Sequence, residues 1–119
     1  MREFTIILPR DIPSASTNLR TRLLDNFGGY TEHEATGAWR DDNTGKVYYD
    51  HNSVFTVGVL PTHPGLYGLI REIAAQAGQE AQQVSVYIKM PDGNAELVYC
   101  GVINTLSTTH YQDMEEAIS

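Results

Sequence analysis

Two helical stripes constrain this chain most. Leu19, Leu23 and Phe27 recur at four-residue spacing with Arg20 and Arg22 between them, and Leu66, Leu69, Ile70, Ile73 and Ala77 form a second apolar stripe. Each stripe predicts a helix that is apolar along one side only and must bury that side against something else. The first helix is expected over about 15–27, with Ser14 as its N-cap and the pair Gly28-Gly29 as its stop, because glycine enters the left-handed region without steric cost. The second is expected to start from a Thr62 cap and to end at Gly78.

The surface that buries them reads as a sheet. "FTIIL" (4–8) puts Phe4, Ile6 and Leu8 on one face and is closed by Pro9. "GAWRDDNTGKVYYDHNSVFTVGV" (37–59) reads as a hairpin about the turn DDNTG. "VSVYIKM" (84–90) alternates cleanly, with Val84, Val86, Ile88 and Met90 on one side; "PDGNAE" turns the chain and "LVYCGVI" (97–103) returns. The resulting order, β-α-β-β-α-β with an additional C-terminal strand, predicts an α+β ferredoxin-like sandwich in which two helices cover one face of an antiparallel sheet. At 119 residues the expectation is a single domain over 1–119, with 104–119 a polar C-terminal tail.

The other sheet face also carries large residues. On the long strand, Tyr49, Phe55, Val57 and Val59 share one parity and Tyr48, Val54 and Thr56 the other. A small sheet apolar on both faces commonly hides the second against another subunit. The expectation is a homo-oligomer, a trimer with sheets facing inward being the first form to test.

Charge and motif content narrow the function. A net charge of −7, from eight Lys plus Arg against fifteen Asp plus Glu, argues against a nucleic-acid partner, which needs a basic surface. No apolar run approaches a membrane span and the N-terminus lacks signal-peptide organisation, so the expected location is the cytoplasm. Cys100 is the single cysteine, and His33, His51, His63 and His110 show no zinc-site spacing. No metal site and no cofactor are expected. "EHE" (32–34) reads as a solvated loop, and His63 as a structural residue in the first turn of the second helix. There is no nucleophile elbow, P-loop or dinucleotide fingerprint.

What does stand out is "YYDHN" (48–52), a polar and aromatic run in a strand that becomes core at Val54. Aspartate is depleted from strand interiors. Two arrangements of Asp50 remain open: a β-bulge in which Asp50 and Asn52 bond local backbone, or a bulge that aims Asp50 into a cleft at a subunit boundary. Trp39, Tyr48 and Tyr49 lie across one hairpin from each other next to Asp50. They are either packing residues or, with the carboxylate, a wall for a small cation. Tyr30 beside the glycine pair has the same two readings.

The succession "FGGY" after the first helix, "TGAW" closing the next strand, an acid ahead of "VFTV", then "QQVSVYI" and "AELVYCG" resembles the phage-encoded S-adenosylmethionine lyases, from about Leu19 to Gly101. That resemblance implies a homotrimer with active sites between subunits, and cleavage of S-adenosylmethionine to methylthioadenosine and homoserine lactone. It places the family's important acid, a glutamate there, at Asp50, which is one methylene shorter. The aromatic partner falls at Trp39 or Tyr48. Tyr49 and Tyr30 extend the substrate wall, and the backbone at Gly28 and Gly29 is the remaining candidate contact. The scaffold also looks like that of PII-type trimers. The alternative is therefore a small-molecule-binding trimer that senses or sequesters a nucleotide-like metabolite without chemistry, which basic residues converging on a cleft would favour. A protein that docks on a host partner by mimicking nucleic acid would need clustered acids, and the acids here are scattered.

Overall fold

The computed structural model describes residues 1–60 and 62–101. Its elements run β1 (Arg2–Pro9), α1 (Pro13–Phe27), β2 (Thr31–Arg40), β3 (Val47–Val59), α2 (Leu66–Glu80), β4 (Ser85–Lys89) and β5 (Ala95–Tyr99). The five strands form one antiparallel sheet in the order β2-β3-β1-β4-β5. This is the ferredoxin-like α+β arrangement, with β5 added as an edge strand beside β4. The expected tail, 104–119, and the last residues of the strand expected over 97–103 lie outside the described residues; the described part of that strand ends at Tyr99.

Both helical stripes bury as their periodicity requires. Leu19 and Leu23 of α1 and Leu66, Ile70, Ile73, Ala74 and Ala77 of α2 pack on Phe4, Ile6 and Leu8, on Phe55, Val57 and Val59, and on Val86, Ile88 and Met90. Each large side chain withdrawn from water contributes roughly 1.5–3 kcal/mol. Two bidentate ion pairs fix the helices laterally. Arg20 clasps Glu32 of β2 (Nε–Oε1 2.7 Å, Nη2–Oε2 2.9 Å), and Arg22 of α1 clasps Glu80 of α2. The Arg20 guanidinium, with a hydrogen bond donated by the Ser53 hydroxyl (3.0 Å), holds the Glu32 carboxyl below the usual carboxylate range.

The helix ends differ from expectation. α1 starts at Pro13, one residue ahead of the expected cap: Ile12 is the N-cap, and Pro13 supplies a preset helical φ in place of a Ser14 side-chain cap. At its other end Gly28 (φ 82°) donates to the Leu24 carbonyl at 2.9 Å, the expected stop. α2 begins after Gly65 (φ 63°) and not from Thr62, so His63 lies in the turn before the helix, its Nδ1–H donating to the Pro64 carbonyl and its ring beside Phe27. Gly78 does not end α2. The helix continues to Glu80, and Gly78 is buried where a Cβ would overlap Cys100 Sγ and meet Val86. That glycine is present for close approach of helix to sheet, which the sequence alone does not distinguish from a stop signal.

β3 pairs without interruption from Val47 to Thr56 with β2 and from Asn52 to Val59 with β1. The bulge on which both readings of Asp50 rested is therefore absent. "EHE" is strand and not loop, with Glu32 facing α1 and His33 facing the opposite side.

The register sets the face away from the helices. One row crosses all five strands: Leu97, Tyr87, Ile7, Val54 and His33. Leu97, Tyr87 and nearby Tyr99 are exposed. Among the described residues no element covers this face.

Candidate functional site

β1 ends at Pro9, opposite Asn52, and the chain leaves the sheet after one more bond, from Arg10 N–H to the His51 carbonyl (3.0 Å). Beyond that point β3 continues to Val47 paired only to β2. Its outer edge is open along 47–50, so side chains of both parities can reach one cleft. The tip of the hairpin is held by Asp41, whose Oδ1 accepts from the N–H groups of Asn43 (2.8 Å) and Thr44 (3.4 Å), and by Gly45 in the left-handed region (φ 74°).

The cleft at this open edge measures about 350 Å³ and is lined by Pro9, Asp11, Trp39, Tyr49, Asp50, His51 and Gln83. Three of the residues singled out in the sequence, Trp39, Tyr49 and Asp50, meet there. Tyr48 stands directly opposite Trp39 across the hairpin, and the two rings stack (centroids 4.6 Å apart, planes at 15°). Lys46 Nζ lies 4.9 Å from the Tyr48 ring centroid, on the stack. Asp50 is opposite Gly37; a side chain at Gly37 would crowd Asn52 (Cβ to Nδ2 3.3 Å) on the sheet surface beside it.

The electrostatics of the cleft are one-sided. Asp50 and Asp11 are both exposed, and no group among the described residues pairs with either. Of the neighbouring cations, Arg10 is engaged with Glu34 and Arg40 with the Gly45 carbonyl (3.0 Å), while Lys46 lies on the Tyr48 ring. The Gln83 amide N–H donates to the Ala81 carbonyl (3.1 Å), which anchors that side chain on the far bank. Aromatic faces, two unpaired carboxylates and an anchored amide suit a small cation with a flat apolar part. Among the described residues no group of three His, Cys, Asp or Glu is placed to hold a metal ion.

The other named residues lie elsewhere. Gly28, Gly29 and Tyr30 sit at the far end of the hairpin; Tyr30 precedes Thr31, which pairs with Thr56, and its ring packs edge-on to Phe55 at 6.0 Å. Along the strand that is about 20 Å from Asp50 at ~3.3 Å per residue. Asp11 and Gln83 were not readable as cleft residues, since only the sheet order brings the β1–α1 and α2–β4 connections to this edge.

Among the described residues no helix is long and apolar enough to cross a membrane. No protein-family model matches the chain, and no curated protein matches it in sequence. The fold does have solved neighbours. A phage S-adenosylmethionine lyase in complex with S-methyl-5'-thioadenosine superposes with a TM-score of 0.63 at 8% identity, covering 86% of this chain and 92% of the other. A phage S-adenosylmethionine lyase in the apo state gives 0.61 at 10% identity, over 86% and 91%. The chain thus has the fold of the phage S-adenosylmethionine lyases over most of its length.

Proposed function

We propose that the protein is an S-adenosylmethionine lyase that releases methylthioadenosine and homoserine lactone. The observation that carries this reading is the cleft at the open edge of β3, where Trp39 and Tyr49 stand beside the unpaired Asp50 carboxylate, in a fold shared with lyases of that substrate.

The chemistry asks little of the protein. The substrate's carboxylate oxygen attacks its own γ-carbon, the C–S bond breaks, and the electron pair leaves with sulfur as a neutral thioether. The carboxylate's negative charge and the sulfonium's positive charge disappear together. The ammonium stays on the lactone, and no proton or water is consumed. The protein therefore has to fold the methionine chain into an attack geometry and keep the reacting pair drier than in solution, where both charges are well solvated. In this proposal Asp50 binds the ammonium and so orients the adjacent carboxylate, making it the catalytic residue. The Trp39–Tyr48 stack and Tyr49 form the apolar wall. The sheet face left open by the described residues supports a homotrimer, through which Gly28, Gly29 and Tyr30 of one subunit would complete the cleft of the next.

Asp50→Asn keeps size and shape but removes the charge partner of the ammonium. A charge-assisted contact contributes about 1.5–3 kcal/mol, so turnover at low substrate should fall roughly 10- to 150-fold at 1.4 kcal/mol per decade. Mass spectrometry of both products from wild type and variant tests this, and equal rates would remove Asp50 from the mechanism. Retention of S-adenosylmethionine without turnover would favour the binding-only trimer. A phosphate-bearing ligand is less suited to the cleft, because Arg10, Arg20, Arg22 and Arg40 are engaged by protein groups and Lys46 alone lies against its aromatic wall.

A further inference from the structure

The proposed mechanism uses one carboxylate of the cleft; the structure places a second there. Asp11 lies in the connection between β1 and α1, held against β3 by the bond from Arg10 N–H to the His51 carbonyl (3.0 Å). A residue just ahead of a helix commonly spends a polar side chain on the free N–H groups of the first turn. This helix has no side-chain cap, and the Asp11 carboxylate is left uncommitted. The adjacent guanidinium of Arg10 is taken up by Glu34 on the neighbouring strand. Asp11 thus faces the same 350 Å³ cleft as Asp50, Trp39 and Tyr49, its carboxyl group without an ion-pair partner among the described residues.

We infer that Asp11 is a specificity residue that selects ligands carrying a positive charge at the sulfonium position, distinct from the ammonium that Asp50 binds. This rests on the proposed substrate class. S-adenosylmethionine brings two cationic centres, and a cleft with a single carboxylate would tell it from the uncharged thioether, S-adenosylhomocysteine, only through the weaker pull of its aromatic faces. A second carboxylate separates the two by charge, and it also lets the product go, since methylthioadenosine has lost the sulfonium charge. The same physics limits what Asp11 does for rate. The sulfonium charge fades as the C–S bond breaks, so an anion beside it binds the ground state better than the transition state. Asp11 is therefore a residue of affinity and discrimination, and its loss raises KM without lowering kcat.

The test compares two unreactive ligands by calorimetry: sinefungin, with an ammonium in place of the sulfonium, and S-adenosylhomocysteine, neutral at that position. Wild type should prefer sinefungin by about tenfold at low salt, as expected for one partly screened charge pair a few ångströms apart. Asp11→Asn should reduce that preference to less than about twofold, through weaker sinefungin binding with the S-adenosylhomocysteine affinity unchanged. Asp25→Asn, on the exposed side of α1, makes the same change in net charge and should leave the preference intact. An equal preference in wild type and Asp11→Asn, an equal loss in Asp25→Asn, or no binding of either ligand to wild type would each overturn the inference. A drop in kcat of Asp11→Asn with KM unchanged would overturn it too. Because neither ligand reacts, a wild type that shows the preference but does not turn over S-adenosylmethionine would refute the lyase reading and leave the discrimination by Asp11 standing.

Discussion

Replacing Gly78 by alanine sets two forces in this fold against each other. On helix propensity alone the change favours the folded state by about 1 kcal/mol, because glycine loses more backbone freedom than alanine. The packing opposes it. A Cβ at this position would overlap Cys100 Sγ and lie 2.7 Å from Val86 Cγ2 and 3.2 Å from Cys100 Cβ. None of these is the free end of a long side chain. Val86 is in the buried row of β4, and Cys100 is tied to the residue just ahead of β4 by its N–H on the Val84 carbonyl (2.8 Å). Room can be made only by lifting α2 from the sheet, and overpacking of that kind costs typically 1–3 kcal/mol or more. The net expectation is a loss of up to about 2 kcal/mol, read as a midpoint lower by as much as roughly 10 °C in thermal unfolding followed by circular dichroism. Cys100→Ala removes the atom that overlaps, so the double variant should be more stable than the sum of the two single losses predicts. A Gly78→Ala protein more stable than wild type, or strict additivity in the double variant, would refute the close-approach account.

Removing the Glu32 charge by Glu32→Gln should cost about 1–2 kcal/mol at neutral pH, since it leaves the half-buried Arg20 without its partner. Glu32 is held below its ordinary range, so its contribution is present above the unfolded carboxylate value and fades as pH falls through the folded one; the gap between wild type and variant in urea unfolding should be full at pH 6 and shrink below about pH 4.5. Burial pushes the Cys100 thiol up, and the native protein should resist alkylation by iodoacetamide at pH 7.5 while the urea-unfolded chain labels readily. If the uncovered face is a subunit interface, Tyr87→Glu together with Leu97→Glu should shift the sedimentation coefficient to that of a monomer while far-ultraviolet circular dichroism stays unchanged; a wild type that already sediments as a monomer would refute the trimer.

The parts of this fold legible in the sequence are those set by one-sided burial. The stripes Leu19/Leu23 and Ile70/Ile73/Ala77, and the alternation Val86/Ile88/Met90, each satisfy a period that one secondary structure alone can bury, and the element order then leaves few sheets to choose from. Residues with two physical uses were not legible. Thr62 has a capping side chain, but the turn at Gly65 intervenes, and Gly78 is as suitable for close contact as for a stop. Asp50 departs from strand propensity without a bulge, because the free edge beyond Pro9 leaves its side chain in water. The proposed site was legible on the hairpin, where Trp39, Tyr48 and Asp50 are local to each other, and not across it, where Asp11 and Gln83 arrive through tertiary topology.

The central claim is tested most directly by incubating the purified protein with S-adenosylmethionine in water enriched in oxygen-18 and following products by mass spectrometry. Intramolecular attack predicts methylthioadenosine and homoserine lactone in equal amounts, with the oxygen on the γ-carbon unlabelled because it came from the substrate's own carboxylate. Oxygen-18 on the γ-carbon would mean that water cleaved the bond, and no methylthioadenosine at all would mean that the protein does not cut this substrate; either result would contradict the account.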